Sequence, residues 1–225
     1  MKLVLLPGMD GTGDLFDEFL AQYSSKHLVI QLPQDGPQDH ASISKTIEKQ
    51  LPSEDFVLLA ESFSGGIVPE LLELDNHHIK GVILVASFLN CPNRFLLPIA
   101  RLLPIKLLSK MPFSKFAYRY LFLGQQAPST LIDKFNEVIR DIPESLLKSR
   151  LRVMLSQKLP PQTFSLPTLY LRATNDRLVS REKGDVVTSI FKSLMVKEID
   201  GPHFILQANP RATAMLVKDF VESIN

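Results

Sequence analysis

A single cysteine, Cys91, in 225 residues excludes an intramolecular disulfide, and no Cys/His cluster shows metal-ligand spacing. A reducing compartment fits. Long apolar runs are missing too: no stretch approaches the ~20 uninterrupted apolar residues of a membrane span. The run Leu3-Val4-Leu5-Leu6 ends at Pro7-Gly8, well short of the roughly 7–15 residues of a secretory core. No signal peptide is expected, and the chain reads as cytoplasmic. Nor is there an excess of charge of one sign: the net charge is +1, so nothing global points to nucleic acid. What is present, 45% hydrophobic and 22% charged residues, suffices for a sizeable core in one domain, with room for an inserted subdomain.

Apolar, β-favouring runs recur at 3–6, 28–32, 56–60, 82–86, 168–171 and 195–199, most of them followed by a loop and a helical pattern. This alternation predicts an α/β fold with a doubly wound, mostly parallel sheet, helices covering both faces. Ligands of such sheets bind beyond the carboxyl ends of the strands, so the loops there carry the functional signal.

The first loop, Pro7-Gly8-Met9-Asp10-Gly11-Thr12-Gly13, places three glycines between a strand and a helix expected from Asp14 to about Tyr23. Such a loop can cradle an anion with backbone N–H groups. Gly8-x-x-Gly11-x-Gly13 resembles the nucleotide loop of short-chain dehydrogenases, and Asp35, after the second strand, stands where such a fold would place a ribose-binding acid. Alternatively the loop supplies an oxyanion donor, with the Met9 N–H the candidate, or it is only a turn. The dehydrogenase reading also needs a Tyr-x-x-x-Lys pair after the central strands. Tyr23 and Lys26 are three apart and come too early.

After the third strand comes Glu61-Ser62-Phe63-Ser64-Gly65-Gly66, running into the helical pattern 67–74. A serine at the tip of a strand-turn-helix has its hydroxyl pushed out above the sheet, and small neighbours let the two backbones approach. Ser64, flanked by Ser62 and Gly66, is the candidate nucleophile. Taken alone, the stretch equally fits a plain Ser/Gly-rich connection. Asp176 and His203, however, each follow a separate predicted strand, in the order nucleophile, acid, histidine. A serine hydroxyl needs an imidazole to take its proton, and the imidazole needs a carboxylate to fix its tautomer.

With these residues assembled, nearly the whole chain resembles the α/β-hydrolase family. Ser62-Phe63-Ser64-Gly65-Gly66 is similar to the family's nucleophile elbow, with Ser62 in place of its first glycine. Asn175-Asp176-Arg177-Leu178-Val179 resembles the acid loop and Gly201-Pro202-His203-Phe204 the histidine loop. Leu5-Leu6-Pro7-Gly8-Met9 resembles the segment where many members have His-Gly-x. The resemblance implies Met9 and Gly65 as backbone oxyanion donors, no cofactor, and a shortened sheet of about six strands, because the family's two usual N-terminal strands have no counterpart.

Residues 88–162 differ from the rest. Prolines break them into short pieces rich in Leu, Ile and Phe, predicting a helical cap between a core of 1–87 and 163–225. Arg94, Arg101, Lys106, Lys110, Lys115 and Arg119 lie in 88–130 without an acidic residue. They fit an anionic partner, an anionic membrane surface held weakly, or simply a solvated face. In plan the chain resembles compact capped esterases similar to pimeloyl-acyl-carrier-protein methyl esterase, which implies an acidic carrier protein as a partner. Its first loop also resembles that of phytyl-ester synthase-like acyltransferases. The expected activity is hydrolysis of a carboxylic ester of an apolar acyl group through an acyl-enzyme. Acyl transfer and ligand capture without turnover are the alternatives.

Overall fold

The computed structural model describes residues 1–74 and 77–224. Strands β1 (Lys2–Leu6), β2 (His27–Val29), β3 (Phe56–Glu61), β4 (Ile79–Val85), β5 (Thr168–Ala173) and β6 (Leu194–Ile199) form one parallel sheet in the order β2-β1-β3-β4-β5-β6. The expected α/β architecture and strand number hold. Side chains alternate across the sheet: Val4, Leu6, Leu58 and Ala60 enter one apolar layer, and Leu3, Leu5, Val57 and Leu59 the other. All six residues of β3 are buried, as befits a strand covered on both faces. The β1–β3 register pairs Leu6 with Ala60, which brings the first loop and the serine turn side by side at the carboxyl edge.

Helices α1 (Asp17–Gln22), α2 (His40–Glu48) and α3 (Ile67–Glu73) link the first four strands. α2 begins at His40, because the Asp39 carboxylate accepts from the Ser42 N–H at 2.9 Å and caps its first turn. Between β4 and β5 lie α4 (Leu96–Leu102), α5 (Ile105–Leu108), α6 (Ser114–Tyr118), α7 (Ser129–Asp141) and α8 (Glu144–Ser156), with a π-helical turn at Arg119–Leu123. Two short helices, α9 (Arg181–Asp185) and α10 (Val187–Ile190), follow β5, and α11 (Ile205–Ala208) precedes the long α12 (Pro210–Ile224). The segment between β4 and β5 packs firmly on the core. Leu97, Leu151 and Met154 join one sheet layer, while Tyr118, Leu131, Phe135 and Leu147 form a third cluster with Phe204, the neighbour of His203.

Candidate active site

The chain turns immediately after Glu61. Ser62 has φ +50, in the left-handed region that residues with a Cβ seldom enter, and a helical turn over Ser62–Gly66 leads into α3. This strained turn aims the Ser62 hydroxyl at His203, with Oγ 2.8 Å from Nε2. On the other side of the ring, Nδ1 lies 2.7 Å from Asp176 Oδ2. Asp176 Oδ1 in turn accepts from the Leu178 and Val179 N–H groups at 2.8 and 2.9 Å, which fixes the carboxylate plane.

The expectation for Ser64 is thereby corrected. Ser64 is completely buried, and its hydroxyl donates to the Pro7 carbonyl at 2.5 Å, so it ties the turn to the first loop and does not meet the histidine. Ser62, assigned to the elbow's first glycine position, is instead the serine at its tip. Ala60 and Ser64 are the small residues two before and two after it. The reason is where the chain turns: β3 stops at Glu61 and the left-handed residue follows at once, so the tip falls on Ser62 and not two residues later.

Gly65 is corrected with it. The residue following the exposed serine is Phe63, and Gly65 is required for space, since a Cβ there would sit 2.5 Å from Ser87 Cβ. A Cβ on Gly66 would run into the His40 ring and the Gln157 amide, so its small size serves the approach of α2 and the end of α8.

Electrostatics set the three groups apart. Burial alone would raise the Asp176 carboxyl and lower the His203 imidazole. The Asp176–His203 attraction and hydrogen bond outweigh burial in both, holding Asp176 below and His203 above their ordinary values, and the charge of Glu61 raises His203 further. Glu61, buried next to Ser62, is pushed up to about 7 by burial and by the charge of Asp10; the Gln207 Nε2 donor at 3.0 Å opposes this. Gln207 lies on α11, so Glu61 links the serine turn to the helix that follows His203.

The first loop is shaped by its own carboxylate. Asp10 Oδ2 accepts from the Thr12 N–H and hydroxyl at 3.0 and 2.9 Å and from the Gly13 N–H at 3.4 Å, while Gly11 and Gly13 adopt φ +76 and +83. Amides that a dinucleotide phosphate would use are thus occupied. Asp35 sits in an exposed turn. The other side of the loop meets Arg150 of α8, which is fully buried. It donates from Nη1 to the Met9 and Asp10 carbonyls at 2.8 and 3.0 Å, from Nη2 to the Pro33 carbonyl at 2.8 Å, and from Nε to Gln38 Oε1 at 3.0 Å. Sequence reasoning missed Arg150. Its signal was present: Leu147, Arg150, Leu151 and Met154 share the i, i+3, i+4, i+7 spacing of one helix face, so the arginine stands on the apolar stripe.

The basic residues of 94–119 are less bare in space than along the chain. Lys115 pairs with Asp133 at 2.6 Å, and Lys106, Lys110 and Lys115 share a groove of about 590 Å³ with Asp133, Glu137 and Asp141 of α7. Arg119 donates to the Gln125 and Ala127 carbonyls.

The sequence model of the family described as serine aminopeptidase, S33, matches residues 23–200. The chain belongs to that family. The match ends before His203, so the place of that histidine in this S33-family α/β-hydrolase rests on the geometry above. The fold is shared with an esterase from Exiguobacterium antarcticum at a TM-score of 0.82 and 15% identity, covering 99% of this chain and 92% of that one. The enol-lactonase from Burkholderia xenovorans is similar at 0.82 and 13%, covering 98% and 91%. MenH from S. aureus is similar at 0.76 and 15%, covering 100% and 94%. No curated protein matches the sequence. Among the described residues, no helix of this hydrolase is long and apolar enough to cross a membrane.

Proposed function

We propose that this α/β-hydrolase is a serine esterase in which Ser62 is the nucleophile, His203 the general base and Asp176 the group that orients it. One observation carries the reading: the continuous relay from Ser62 Oγ through the His203 ring to Asp176, at 2.8 and 2.7 Å. His203 Nε2 takes the Ser62 proton as Oγ attacks the ester carbonyl. The tetrahedral adduct collapses by breaking the bond to the alkoxy oxygen, which leaves with that proton. Water then attacks the acyl-enzyme, giving one proton to His203, and the acid departs as Ser62 recovers its hydrogen.

The oxyanion donors in this reading are the backbone N–H groups of Phe63 and Met9. Phe63 lies in the first turn of a helical segment, where amides have no intrahelical acceptor. The Met9 N–H donates to no backbone or side-chain acceptor among the described residues. An apolar acyl group suits the site's surroundings, because Phe204 packs edge-on against His203 and Phe135 at 5.4 and 5.3 Å and draws Phe122 and Tyr118 into the same aromatic cluster. Ser62 and His203 are only 8% and 3% exposed, and in this reading the helices between β4 and β5, which pack on Phe204 beside His203, serve as the lid over the reacting atoms. The names of the similar structures, an esterase and an enol-lactonase, describe enzymes of ester-bond chemistry. Labelling with a fluorophosphonate followed by peptide mapping tests the assignment: the adduct is expected on Ser62, abolished in Ser62→Ala and retained in Ser64→Ala. A label that maps to Ser64, or persists in Ser62→Ala, overturns it.

A further inference from the structure

Two features of the segment between β4 and β5 remain unused by the chemistry. The first is apolar exposure. Of fourteen large apolar side chains exposed among the described residues, ten lie between 95 and 120, led by Phe95 at 86% and Leu102 at 77% and including Ile99, Leu107, Phe113 and Phe116. On α4 the outward residues Phe95, Ile99 and Leu102 share one face, while Leu97 packs inward. A contiguous run of this kind marks an interaction surface.

The second is a charge polarity concealed by the net +1. Residues 88–162 hold twelve Lys and Arg against four Asp and Glu, a surplus of eight positive charges, and the remainder of the chain holds thirteen against twenty, a deficit of seven. Part of the surplus is neutralised along the α7 groove. Arg94 and Arg101, at the two ends of α4, lie in the acid-free run.

We propose that the α4–α6 face docks on an anionic phospholipid surface, Phe95, Leu102, Phe113 and Phe116 entering the acyl boundary and the flanking cations meeting the headgroups. An apolar face rimmed by Lys and Arg is how interfacial helices bind, and the opposed charges of core and lid orient the molecule lid-first in the field of such a surface. An acidic protein would satisfy the cations but leave a broad aliphatic and aromatic face needing a matching apolar partner. A lipid boundary satisfies both. The face also adjoins the site: Tyr120 stacks under the Arg177 guanidinium at 3.6 Å, next to Asp176, and the Phe204 N–H donates to the Phe122 carbonyl at 3.2 Å. Docking would therefore place the lid edge beside the reacting atoms in contact with lipid.

The surface is tested apart from catalysis by using Ser62→Ala protein in co-sedimentation with vesicles of phosphatidylcholine alone or mixed with phosphatidylglycerol. Binding is expected to favour the anionic vesicles and to fall with added salt. Arg94→Glu with Arg101→Glu should weaken it at least ~25-fold, about five-fold per cation lost. Phe95→Ser with Leu102→Ser should weaken it by a similar or larger factor. An unchanged melting temperature serves as the control for folding, since Arg94, Phe95 and Leu102 are exposed and Arg101 is half-buried. Equal binding to neutral and anionic vesicles overturns the proposal, as does no binding to either. So does a wild-type dimer that Phe95→Ser with Leu102→Ser dissociates, or binding to an acidic acyl carrier protein without binding to vesicles.

Discussion

Arg150→Met offers the sharpest test of how α8 anchors the first loop, where the proposed function places the Met9 oxyanion donor. The guanidinium donates four hydrogen bonds, three of them to backbone carbonyls of Met9, Asp10 and Pro33. At about 1 kcal/mol net per bond, removing them costs ~4 kcal/mol. The variant no longer has to desolvate a buried cation, which returns part of that sum. Burial has already pushed the arginine down to about 10, a sign of how strongly the site disfavours its charge. A net loss of ~2–4 kcal/mol corresponds to a melting temperature lower by roughly 5–15 °C in a chain of this size. The functional effect is separate. With the Met9 and Asp10 carbonyls released, the first loop loses its anchor, and the neighbouring Gly8–Met9 peptide, which carries the Met9 N–H, can shift away from the proposed oxyanion position; loss of one such donor costs up to about 10²–10³ in turnover. We expect kcat for a short p-nitrophenyl ester to fall ~10–100-fold with KM little changed, measured well below the variant's melting temperature. Arg150→Lys, which keeps the charge but not the planar fork, should fall between the two. If folded Arg150→Met turns over within about twofold of the wild type, the anchoring of Met9 by Arg150 does not set the oxyanion donor.

In the proposed mechanism His203 must be neutral to accept the Ser62 proton, and its neighbours hold it above the ordinary value of about 6.5, so kcat/KM should rise with pH through an inflection above that value. Glu61→Gln removes one of the charges that favour the imidazolium, so the inflection should move to lower pH; an unmoved or raised inflection contradicts the electrostatic account. Gly65→Ala places a methyl 2.5 Å from Ser87 Cβ and should destabilise by roughly 1–3 kcal/mol, seen as a melting temperature several degrees lower; no change in stability would show that the turn and Ser87 can move apart freely.

The parallel sheet, the acid and histidine loops and the helical segment at 88–162 were all legible along the chain, because each depends on local periodicity or on residue types gathered after a strand. The serine was not. Ala60-Glu61-Ser62-Phe63-Ser64 and Ser62-Phe63-Ser64-Gly65-Gly66 both place a serine between small residues, and the two registers differ in whether β3 stops at Glu61 or runs on to Phe63. A strand end is settled by ladder pairing, here Glu61 opposite Val85, which local apolarity does not encode. The same holds for the basic run, whose lysines meet Asp133 and Glu137 of α7 only after the helices fold back on one another.

By itself, then, the sequence determined that a serine, an aspartate and a histidine would meet at the carboxyl edge of a parallel sheet, with a greasy, basic helical segment inserted between two of its strands. Tertiary structure alone decided which serine. Ser62 is held in a left-handed turn against His203, whereas Ser64, two residues on, is rotated inward to the Pro7 carbonyl. Two hydroxyls this close in sequence have the same intrinsic chemistry. Only the direction in which the backbone turns separates a group poised for proton transfer from one that holds the loop in place.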